Sequence, residues 1–78
     1  MPRYHFDLVD HITVEDHGGQ LLADDVTATH VAEELALKIY DVRPPLRGQG
    51  YLILVTDADG REVHRAPIDL RSGPSLVP

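Results

Sequence analysis

The chain has 78 residues, a formal net charge of −6, five histidines, a single lysine and no cysteine. The absence of cysteine excludes disulfides and thiolate metal centres. Scarce lysine and an acidic balance disfavour nucleic-acid binding, which draws its affinity from neutralising phosphates, and argue against anionic membrane surfaces for the same reason.

The length fits one domain, expected over residues 1–70, with 71–78 as a flexible tail. A domain this short buries only about 60–65% of the surface its unfolded chain exposes, so a tight core or a partner subunit must supply the stability margin. The charge is lopsided: residues 1–41 hold nine acidic and two basic side chains, residues 42–78 four and five. No apolar run is long enough to span a bilayer, and the opening residues lack the apolar centre of a secretory signal, so the expected location is the cytoplasm.

Tyr4, Phe6 and Leu8 alternate with Arg3, His5 and Asp7, which is the period-two pattern of a half-buried strand. Asp10-His11 suits a turn. Ile12-Thr13-Val14 is β-branched and predicts a short second strand, with Asp16-His17-Gly18-Gly19 ending it through a glycine at positive φ. Asp24, Asp25 and Thr27 are all competent helix N-caps. Ala28, Val31, Ala32, Leu35, Ile39 and Val42 then follow at helical spacing and predict one apolar stripe. Pro44 and Pro45 end that helix near Val42.

After a loop to Gly50, Tyr51 to Thr56 predicts a strongly apolar strand. Asp57-Ala58-Asp59-Gly60 predicts a hairpin with a three-residue loop and Gly60 left-handed. Arg61 to Ala66 returns as the last strand, and Pro67 confines it to an edge or ends it. The order is ββαββ, an α+β fold in which one helix packs on a four-stranded antiparallel sheet.

No residue set compels a catalytic, cofactor-binding or metal-ligating assignment, and a non-enzymatic protein without a cofactor is expected. No Gly-x-Ser-x-Gly elbow or phosphate loop occurs. Asp57-Ala58-Asp59-Gly60 opens like a calcium loop, but Ile68 stands where the bidentate glutamate is required. His5, Asp7, Asp10, His11, Asp16 and His17 crowd the first hairpin, and zinc and related metals take such ligands when they converge. No recognisable ligand spacing appears among them, and the plainer reading is a solvated, polar outer face. If they do bind a metal or small ligand, His5 must lie within ligand distance of a neighbouring carboxylate.

The Tyr51–Val55 run is apolar on both faces. With the three-residue loop, Val55 opposes Val63 and Leu54 opposes His64. Tyr51, Ile53, Val55 and Val63 then share one face, and Leu52, Leu54, Ala66 and Ile68 the other. One helix covers only one of these. Leu52 and Leu54 are therefore the leading candidates for a homodimer or protein-partner surface, with Leu37, opposite the helix stripe, a lesser one. The bland reading is a central strand covered by its own chain.

The opening Met-Pro-Arg-Tyr-x-Phe-Asp, the stretch Asp16-x-x-Gly19-x-x-Leu22-x-Asp24, the alanine-rich helix start at Ala28 and Val55-Thr56-Asp57-x-Asp59-Gly60-Arg61 together resemble a family of short bacterial proteins classed as a domain of unknown function. The chain departs from that pattern at His5, where an aromatic is anticipated, and at Thr29-His30. The resemblance implies a shared fold and a cytoplasmic bacterial setting and carries no site residues. The resulting expectation is a small interaction or regulatory module acting through a sheet or helix face. The alternative is a metal- or ligand-binding protein using the hairpin histidines and carboxylates.

Overall fold

A computed structural model describes residues 1–69; the tail expected over 71–78 lies outside them. The elements run β1 (Arg3–Val9), β2 (Val14–Leu21), α1 (Asp25–Val42), a short 3-10 turn (Pro44–Leu46), β3 (Leu52–Thr56) and β4 (Glu62–Pro67). The four strands form one antiparallel sheet in the order β2-β1-β3-β4. The ββαββ order and the α+β class follow the sequence reading. The spatial order adds that β1 and β3 are the central pair.

The core fills the space between α1 and one sheet face. Tyr4, Phe6 and Leu8 of β1 and Ile53 and Val55 of β3 are buried there, with Ala66 and Ile68 from β4 and the residues beyond it. The helix contributes Ala28, Ala32, Ala36 and Ile39. Three alanines on the inner face leave no long side chains in the way, so the helix backbone can lie close to the sheet. Ala36, which the predicted stripe omitted, sits between Ala32 and Ile39 on this face. Val42, which the stripe included, is 61% exposed in the last turn.

Three side-chain contacts tie the helix to the strands. At its start, Tyr4 Oη donates to Asp25 Oδ1 at 2.6 Å. Midway, Glu33 meets His64 at 2.9 Å. At the end, the Nη1 of the C-cap residue Arg43 reaches both Glu15 oxygens at 3.1 and 3.0 Å. Of the N-cap candidates, Asp24 takes the role, accepting from the Thr27 amide and hydroxyl.

Two expectations are corrected. The second strand is not Ile12–Val14 but begins at Val14, because Asp10 accepts from the amides of Ile12 and Thr13 and turns the chain there. The glycines do not end that strand. Gly18, at φ +87°, is absorbed within it as an extra residue. The second correction concerns β4. The hairpin closes as expected, with Asp57 N donating to Arg61 O, Gly60 at φ +84° and Thr56 opposite Glu62. A bulge then intervenes, so Val55 opposes His64 and Leu54 opposes Arg65. A one-residue slip moves side chains to the opposite face. Ala66 and Ile68 therefore lie under the helix rather than beside Leu52 and Leu54. Pro67 occupies an edge strand, where its missing amide is tolerated.

Candidate metal-ligand cluster and the uncovered sheet face

Side chains alternate across a sheet, so burying Tyr4, Phe6, Leu8, Ile53 and Val55 under α1 turns their neighbours to the other face. Among the described residues no helix packs on that second face. Its register sets out rows that run across the strands. One row is entirely apolar: Val14, Val9, Leu52 and Pro67, one residue from each strand. Val14 is 71% exposed, and the other three are half-buried. The next row is Asp16, Asp7, Leu54 and Arg65, and beyond it lie Gly19, His5, Thr56 and Glu62. Leu52 and Leu54 thus stand where the sequence placed them, on a face away from the helix, but without Ala66 and Ile68. Leu37 is 46% exposed on the outer side of α1, apart from this face.

The polar end of the face gathers His5, Asp7 and Asp16. His5 and Asp7 share it because they are two residues apart on β1. Asp16 arrives from β2 as the residue directly opposite Asp7. The third contact, between His5 and Asp16, lies beside a bulge at Gly18. From Asp16 to Gly19 the second strand takes three steps while β1 takes two from Asp7 to His5. The extra residue shifts the local register, a recurrent use of bulges in re-aiming side chains. His5 Nε2 lies 3.1 Å from Asp7 Oδ1 and 3.1 Å from Asp16 Oδ1. One ligand atom from each of the three residues falls within 4.8 Å of the others. The Gly18 amide donates to Asp16 Oδ1 at 2.6 Å and fixes that carboxylate. Asp7 is the most sheltered of the three, with 19% of its side chain exposed.

The remaining members of the predicted crowd go elsewhere. Asp10 spends its carboxylate on the turn amides, and the bond from Ile12 N holds it below the usual carboxylate range. His11 is exposed in that turn. His17 points to the helix side with Glu15, 3.5 Å from it. There the Arg43 guanidinium, through its hydrogen bonds first, holds the Glu15 carboxyl low against the opposing effect of burial. Sequence reasoning missed the Tyr4–Asp25 and Glu15–Arg43 ties, since neither pairing is written in local spacing.

A family model described as "Domain of unknown function (DUF6894)" matches residues 3–69, every strand and the helix included. The chain belongs to the DUF6894 family. Comparison with curated proteins and with solved structures returned no match.

Several residues behind the family resemblance have structural work in this DUF6894 chain. Tyr4 and Phe6 are core, and Asp24 caps α1. Gly19 leaves room for the neighbouring strand, since a Cβ there would meet Tyr4 O and the Arg3 guanidinium at 3.1 Å.

Proposed function

We propose that this DUF6894 protein is a non-enzymatic binding module, and that the sheet face opposite the helix binds a second copy of the chain. The carrying observation is the apolar row Val14–Val9–Leu52–Pro67, which crosses all four strands on that face. Fully burying a leucine is worth about 1.5–3 kcal/mol, large against a small domain's stability of about 5–15 kcal/mol. Charge supports self-association at this face. The chain as a whole is strongly acidic, yet this face also carries Arg3 and an Arg65–Glu62 pair, so its charges are mixed. Two such sheets stacked about a two-fold axis bury the same row twice.

No helix of the described residues is long and apolar enough to cross a membrane, and the proposal places the module in the cytoplasm. Sedimentation across a concentration series tests the association. The native chain is expected to dimerise, and Leu52→Lys, on the outer face of a central strand, to be a folded monomer. A native chain that stays monomeric at high concentration overturns the proposal.

A further inference from the structure

We infer that His5, Asp7 and Asp16 form a binding site for a divalent transition-metal cation, Zn²⁺ being the representative probe. The inference stands apart from self-association. It rests on the geometry of three side chains at the polar end of the face.

The first argument is distance. Metal–ligand bonds of about 2.0–2.1 Å set neighbouring ligand atoms roughly 2.8–3.0 Å apart in an octahedral shell and roughly 3.3–3.4 Å apart in a tetrahedral one. His5 Nε2 meets both carboxylates at 3.1 Å, between those spacings, so a small shift seats an ion. The second is charge. Asp7 and Asp16 are directly opposed cross-strand neighbours, an arrangement that destabilises a sheet when the charges are alike. Among the described residues, neither pairs with a lysine or arginine; His5 alone lies between them. A dication held by a neutral imidazole compensates both carboxylates at once. The third is construction. Asp16 stands directly opposite Asp7, and the Gly18 amide anchors its Oδ1. A hydrogen bond that fixes a ligating carboxylate is a regular feature of metal sites. One nitrogen and two carboxylate oxygens suit zinc or manganese, and three protein ligands leave positions for water.

Isothermal titration of the full chain with Zn²⁺, repeated with Mn²⁺, tests the site. The expected result is one ion per chain, with affinity reduced by about tenfold or more in His5→Ala and in Asp16→Asn, and unchanged in His11→Ala and His64→Ala. Asp16 is an exposed strand residue, so its variant keeps the test valid if His5→Ala folds poorly. Titrating monomeric Leu52→Lys separates this result from the fate of the dimer. Absence of zinc binding, or binding indifferent to both substitutions, overturns the site. In that event His5 serves only as a hydrogen-bond donor between the two carboxylates.

Discussion

Tyr4 shows how a single polar atom is accommodated in this core. Its ring is buried, while its hydroxyl emerges at the start of the helix to donate to Asp25. That hydrogen bond first, and burial second, pushes the phenol from 10.0 up to about 12. A group whose folded pKa is raised holds its proton more tightly when folded. Its contribution is full below the unfolded value and is lost as pH rises through the folded one. Stability should therefore fall between pH 10.0 and about pH 12. Urea denaturation across that range is expected to show the fall in the native chain and a shallower one in Tyr4→Phe. Ultraviolet titration should show a late-ionising phenol that is lost in Tyr4→Phe. Glu15 works in the opposite sense. Its carboxyl is held low by Arg43, so its contribution is present above the ordinary carboxylate range and disappears as pH falls. Both partners are substantially exposed, which limits this pair to about 0–1 kcal/mol.

Among the elements, α1 gives the clearest contrast between inner and outer positions. Ala36 is fully buried against the sheet, whereas Leu37 is substantially exposed. Ala36→Leu forces extra methylenes into a close helix–sheet contact and is expected to cost about 1–3 kcal/mol. Leu37→Ala is expected to stay within about 0.5 kcal/mol of the native chain. Chemical denaturation of the two variants checks both. The helix itself was readable in advance because its period, its caps and Pro44 all agree. The strand boundaries were less so, for one physical reason. Each hairpin contains a bulge, and a bulge reverses which residues face inward; the glycine that marks the first also reads as a turn, and the second carries no glycine. At Gly18 it extended a strand through residues that resemble a loop. Past Val63 it carried Ala66 and Ile68 into the core. The candidate cluster was half legible. His5 and Asp7 share a face by simple alternation, but choosing Asp16 over Asp10, His11 or His17 requires knowing where the Asp10 turn ends and which residue of β2 stands opposite Asp7.

For the whole molecule, the spatial order β2-β1-β3-β4 joins two hairpins that are separated in the chain by the entire helix. An isolated two-stranded hairpin is marginal in water. Residues 1–42 alone would leave Phe6 and Leu8 without Ile53, Val55, Ala66 and Ile68, their companions in the core. That fragment is expected to be unfolded by circular dichroism, and mixing it with residues 43–78 to restore structure only in part, because joining two chains adds an association cost that the intact chain avoids.

The central β1–β3 pairing also governs how the protein folds. Five consecutive residue pairs, from His5 opposite Thr56 to Val9 opposite Leu52, zip the two halves together. Each spans dozens of intervening residues, so the loop-closure entropy of more than half the polypeptide must be met before that ladder gives anything back. A seam of such long-range pairs is expected to make folding slow for a chain of this size. Stopped-flow refolding of variants along it checks this: substitutions that weaken the ladder are expected to slow refolding.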